Sequence, residues 1–200
     1  MHLKKGIFIF PELQEEEVKP DAFGYWSVRL SDDLACKKLN ELMESKITGS
    51  SAYIQSYLTR LQLLALYTAV YWAYAILILG TPEEYVENMK IGMNDSIKEY
   101  SGPNGENISN EGIALSESFF KESFKCIGED IRNIEDTDSD VFNPDISNMA
   151  KYFIEAIEHY HFNNGAAMPE IEKTYIGHLV AEVPLKMFSV LNRQGIVFNA

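Results

Sequence analysis

Between Arg60 and Glu83 the chain carries no charged residue, and this one stretch, LQLLALYTAVYWAYAILILG with its flanks, limits what the rest can do. About 20 apolar residues in a row suffice to cross a bilayer as a helix. The same composition also suits the central helix of a bundle, apolar on every side because neighbours surround it. Tyr67, Tyr71, Trp72 and Tyr74 favour the second reading. Membrane helices place Tyr and Trp at the two interfaces, whereas these four sit in the middle of the stretch. A hydroxyl at the centre of a bilayer has no partner, while a bundle offers carbonyls. The expectation is a buried helix in a soluble protein, and a membrane span is the disfavoured reading.

Such a helix needs amphipathic helices to cover it, and the sequence supplies them. Ser31 is placed as an N-cap, with Asp32 and Asp33 in the first turn and Leu34, Leu39, Leu42 and Met43 on one face. Gly49 and Ser50 open the long apolar helix, which Gly80 closes. Thr81-Pro82-Glu83-Glu84 has the form of a capping box, followed by Val86, Met89, Met93, Ile97 and Tyr100 at helical spacing. Residues 101–112 read as a loop rich in Gly, Asn and Ser. Ile113, Phe120, Phe124, Ile127, Ile131 and Ile134 then mark another helix, and Glu135 to Asp145 an acidic loop. Ile146, Met149, Phe153, Ile157 and Tyr160 mark the next, stopped by Asn163-Asn164-Gly165. The last helical region begins after Pro169 and is expected to break or kink near Pro184.

Residues 1–30 are less regular. Ile7–Phe10 and the alternation Trp26, Val28, Leu30 both suggest short strands, which Ile196-Val197-Phe198 could join. The fold predicted is all-α: a single domain over residues 1–200, a multi-helix bundle around a central apolar helix. A small β element at the termini is an open addition.

Charge restricts the function. Of a net charge of −13, residues 81–145 hold −11, with five Lys/Arg against sixteen Asp/Glu. A field of that sign repels nucleic acid and favours a basic protein partner. Cys36 and Cys126 lack ligand spacing, and the Ile7–Phe10 run is too short for a signal h-region, so reduced thiols and a cytoplasmic location are expected.

Chemistry-bearing clusters are few. Asp136, Asp138 and Asp140 begin like a calcium loop, but Val141 and Ser147 stand where its Gly and bidentate Glu belong. Glu158 and His161 have the Glu-x-x-His spacing of di-iron bundles without a second such pair, while Glu155 and His159 point to solvent. No metal and no cofactor is therefore expected. His178 and Glu182 lie four apart on the face of Ile171 and Tyr175. They suggest either an acid–base pair at a cleft or a buried hydrogen bond that fixes packing. There is no glycine-rich phosphate loop, nucleophile elbow or zinc motif.

Two classes of function remain. The first is an acidic protein-binding module, most concretely an inhibitor or immunity-type protein that neutralises a basic toxin or enzyme. Its contacts would be Glu83, Glu84, Glu87, Glu129, Asp130, Asp136, Asp138 and Asp140. The alternative is a small helical enzyme or ligand-binding bundle whose pocket uses His178, Glu182, Tyr175 and the central tyrosines. Either way the central helix is core, so Tyr71→Ala or Trp72→Ala is expected to cost about 3–5 kcal/mol in urea unfolding.

Overall fold

The computed structural model of the chain describes residues 4–99, 109–137, 147–162 and 167–200, with residues 134–137 described through their backbone only. Among these, six α-helices form a bundle with the uncharged stretch at its centre, and a three-stranded sheet ties the two ends of the chain together. The mostly-α bundle expected from periodicity is the architecture found.

The central helix α2 (Tyr57–Ala73) begins at Ser56, whose hydroxyl accepts from the Leu58 amide. Every residue from Leu61 to Val70 is buried, so no face of these turns reaches solvent. Each large aliphatic side chain buried in this way contributes roughly 1.5–3 kcal/mol. Trp72 is 2% exposed. Its indole donates to Ser27 at 3.1 Å and its ring meets Phe120 edge-on at 5.2 Å, joining three helices. Tyr71 is only half-buried, so its truncation costs less than that of Trp72. The helix continues as a π-helical turn, Tyr74–Ile78, which ends at Gly80 in the left-handed region.

Four helices differ from the sequence expectation. Helix α2 starts at Tyr57 and not at Gly49 and Ser50, because Ala52–Gln55 forms a separate 3-10 turn before it. Helix α1 (Pro20–Glu44) starts eleven residues before Ser31 and absorbs Trp26, Val28 and Leu30, which are helical and not a strand. Pro20 opens it and Phe23, Ser27 and Ser31 continue its buried stripe, a period of four that the Trp26–Leu30 alternation obscures. Helix α3 (Glu83–Lys98) forms without the expected capping box. The Thr81 hydroxyl is turned back onto the Ala75 carbonyl at 2.7 Å, where it closes the π turn. Helix α6 (Glu170–Arg193) runs through Pro184 without a break. Helices α4 (Asn110–Thr137) and α5 (Asn148–His161) lie where their periodicity places them, except that α4 takes in residues 135–137 of the expected acidic loop.

The sheet has the order β2 (Glu16–Val18), β1 (Ile7–Phe10), β3 (Val197–Asn199), all antiparallel. Phe8 pairs with Val18 on one side and Phe198 on the other, and its fully buried ring stacks on Phe23 at 4.2 Å. The partner strand for β1 is thus the acidic segment Glu16–Val18, and not residues 26–30.

Helix α1 packs on α2 along one side and on α3 along the other. The α1–α3 crossing is backbone against backbone. A Cβ on Gly92 would overlap the Asp21 carbonyl and approach the Tyr25 amide, and one on Gly24 would overlap the Met89 carbonyl. Neither helix can shift to make room without losing its other contacts. Gly92→Ala is therefore expected to destabilise by about 2–3 kcal/mol in urea unfolding, despite alanine's better helix propensity. Gly128→Ala in α4, where the nearest atom is Leu77 Cδ1 at 3.7 Å, is expected to stabilise by about 0.5–1 kcal/mol. The opposite signs make the pair its own control.

Candidate functional site

Two sequence-predicted clusters can be placed, one on α6 and one on α5. His178 and Glu182 are both exposed, on the side of α6 that carries Ile171, which is 66% exposed. The reading of a buried hydrogen bond is corrected: the buried face of α6 is Ile176, Gly177, Val180 and Val183. Glu182 pairs with Lys186, which together with His178 holds its carboxyl below the usual range. Tyr175 is half-buried and packs against the core. On α5, Glu155 and His159 face solvent as expected. Glu158 accepts from Lys173 at 2.8 Å and from the Met168 amide at 3.1 Å, so it serves to hold α6 against α5.

The acidic set divides. Glu83, Glu84 and Glu87 are exposed along the first turns of α3, with Glu87 paired to Lys90 at 2.6 Å. Glu129 is half-buried on α4. Asp130 is not a surface contact. It is 4% exposed and accepts from the Asn148 amide at 2.7 Å, the Met149 amide at 3.1 Å and the Ser147 hydroxyl at 2.8 Å. Its charge is spent on the positive end of α5, where a carboxylate is most favourable. Asp136 is described only in its backbone, and Asp138 and Asp140 lie outside the described residues. Burial and the nearby Glu129, Asp130 and Glu122 push the Cys126 thiol up to about 11, so it stays protonated as an inert part of the core.

Sequence reasoning missed a carboxylate that is buried. Glu172, in the first turn of α6, accepts from the Tyr53 hydroxyl and lies 2.9 and 3.0 Å from the Ser51 hydroxyl. Burial, then the neighbouring carboxylate, raises the Tyr53 pKa, so the phenol remains a donor. Beside it the His161 ring is 6.3 Å from that of Tyr53, and its Nε2 is buried with no hydrogen-bond partner among the described residues. The group ties the 51–55 turn to α5 and α6. Nothing in its linear spacing, 119 residues from Tyr53 to Glu172, could have announced it.

The arrangement with recognition chemistry lies instead over the α1–α3 crossing. A shallow hollow of about 260 Å³ is lined by Asp21, Ala22, Tyr25 and Trp26 from α1 and by Ile91, Gly92 and Asp95 from α3. Trp26 is 55% and Ile91 57% exposed, side chains that a monomer gains nothing by leaving in water. Asp95 has Lys98 at 3.5 Å. Arg29 sits next to the hollow, with its guanidinium 5.3 Å from the Tyr25 ring centre and 3.1 Å from Glu99. The Tyr25 hydroxyl, 2.7 Å from Glu99, and then Arg29 hold that carboxyl below the usual range. Within the chain itself, an aromatic ring and a carboxylate on this face thus already receive a cation.

No family model matches the chain, and comparison with curated proteins and with solved structures finds no match. The fold and the site therefore define only a class, an all-α bundle with an acidic, aromatic surface hollow.

Burial pushes the His161 pKa down, and this has a measurable consequence. The unfolded chain binds the proton more tightly than the folded one, so stability is lost as pH falls through the unfolded value, about 6.5. Between pH 7.5 and 5 the wild type is expected to lose more stability than His161→Phe, as read by urea midpoints at each pH. Equal losses would show that His161 ionises as freely folded as unfolded.

Proposed function

We propose that this protein is a binding module for a basic polypeptide, of the inhibitor or immunity type, and that it captures its partner on the α1–α3 face. The observation that carries the reading is the hollow over the Gly24/Gly92 crossing, whose lining combines exposed Trp26 and Ile91 with Asp21 and Asp95. Trp and Tyr are the side chains that most often anchor interfaces, because they bury a large area at low entropic cost. Two carboxylates beside them suit a Lys or Arg whose stem lies on the indole and whose head meets a charge. Glu83, Glu84 and Glu87, further along α3, extend the field that draws such a partner in. Because the apolar faces of α3 and α4 remain continuous inside, the acid is carried at no cost to the core. Like charges on one surface lower stability, so folding alone gives no reason to concentrate them.

Anchor and field make different kinetic contributions, which allows a test. The partner is first isolated by pull-down from native lysate at low salt and eluted at high salt. With that partner, Glu83→Gln/Glu84→Gln/Glu87→Gln is expected to slow association at least about tenfold while changing dissociation little. Trp26→Ala is expected to weaken binding by about 2 kcal/mol or more, mainly through faster dissociation. The reading is abandoned if the isolated partner binds both variants at wild-type rates.

A further inference from the structure

On the other side of Trp26 the structure holds a second, deeper space. A half-open cavity of about 440 Å³ lies where β1 and β2, helix α1, the end of α2 with its π turn, and the end of α6 meet. Its walls are apolar and aromatic, chiefly Phe10, Phe23, Leu30, Tyr71, Tyr74 and Leu191. That volume lies within the range of small-molecule sites. Filling it with side chains would have been the cheaper solution for stability, since each unfilled methyl-sized gap costs contact energy.

The polar groups around it are sparse and of one kind. Tyr71 and Tyr74 both line the cavity, and neither hydroxyl has a hydrogen-bond partner among the described residues. Burial raises the pKa of both, so they are neutral phenols able to donate or accept. Gln194 adds an amide, while the Ser27 hydroxyl is already engaged, accepting from Trp72 and donating to the Gly24 carbonyl. Among the described residues, Glu16, exposed on β2, is the one charged residue of the lining, and no Lys, Arg or His contributes. The π turn follows directly. The Leu79 amide reaches the Tyr74 carbonyl at 3.0 Å and the Thr81 amide the Ala75 carbonyl at 3.2 Å. Such widened turns recur at functional sites, because they re-aim side chains that a regular helix would place elsewhere.

We propose that this cavity is a binding site for a small, largely apolar molecule bearing a neutral or amine hydrogen-bonding group, which Tyr71 and Tyr74 hold. An anionic amphiphile such as a fatty acid is rejected, because its charge would meet Glu16 with no cation in the wall to receive it. The proposal stands apart from the polypeptide-binding face: the two sites share only Trp26, which none of the variants below alters.

The probe is N-phenyl-1-naphthylamine, a neutral aromatic amine that fluoresces when removed from water, compared with the anionic 8-anilinonaphthalene-1-sulfonate. The amine is expected to bind saturably, one per chain, and at least about tenfold more tightly than the sulfonate. Leu191→Trp, which fills the space, is expected to abolish the site. Since that variant can fail to fold for its own reasons, Tyr71→Phe/Tyr74→Phe provides a second arm that keeps the volume. It is expected to lower amine affinity about tenfold, as loss of a buried polar contact does. Glu16→Lys, on the exposed strand, is expected to reverse the preference and admit the sulfonate. The proposal is overturned if the amine binds at several equivalents per chain. It is equally overturned if the double tyrosine variant and Glu16→Lys both leave amine and sulfonate binding unchanged. Sedimentation showing a dimer that must dissociate before the probe enters would also overturn it, assigning these apolar walls to a second copy of the chain.

Discussion

Everything in this bundle answers to one requirement, the complete burial of a helix with no polar side. A helix with one apolar stripe can be satisfied by one neighbour; α2 cannot. Its buried run from Leu61 to Val70 is enclosed by α1 and α4 along their lengths and touched more locally by α5 and α6, with the 51–55 turn covering its start. Each of those covering elements then has an outer face of its own, and there the charge of the chain is carried. The ties that lock the cover in place are polar and few. Arg60 meets both Asp32 oxygens, Trp72 donates to Ser27, and Glu172 receives Tyr53 and Ser51. Each lies in or against low-dielectric surroundings, where a paired polar group specifies geometry more than it adds stability.

The layer beyond α1 follows different physics. Helix α3 does not touch α2 as a principal neighbour; it lies on α1, drawn close by glycines at 24 and 92. With backbones in contact, large side chains near the crossing have no room between the helices and are directed outward. Trp26 and Ile91 are exposed for this reason, and Tyr25 and Asp95 line the same hollow. A packing device that serves stability thus also presents a surface with anchor residues and charge. The same helix, by its position against the sheet, forms one wall of the cavity lined by Tyr71 and Tyr74, so Trp26 borders both spaces.

Periodicity made much of this legible before any coordinates. The central helix, α4 and α5 lie close to where their apolar residues recur, and the pairing of Ile7–Phe10 with the C-terminal strand was readable from β-prone runs at both ends. Trp26, Val28 and Leu30 misled, because alternation over five residues fits a strand while the buried stripe of α1 runs through Phe23, Ser27 and Ser31, two of them serines. Thr81 misled similarly. Its spacing to Glu84 is that of a capping box, but the π turn left the Ala75 carbonyl in need of a donor and claimed the hydroxyl.

By itself the sequence determined the class of fold, because hydrophobic spacing is a local property that survives without knowledge of neighbours. It determined as well that the charge would be acidic and concentrated in one third of the chain. Which carboxylates are surface and which are structure was decided only by the tertiary fold. Asp130 and Glu129 are adjacent in sequence, yet one caps α5 from within and the other is half-exposed. Glu172 is buried because a tyrosine and a serine more than a hundred residues away come to it. His178 and Glu182 are exposed because α6 turns its other side to the core. The hollow at Asp21, Trp26 and Asp95 and the cavity at Tyr71 and Tyr74 exist only once α1, α3, α6 and the sheet are docked. Concavity belongs to surfaces brought together across the chain, and no spacing along it records that.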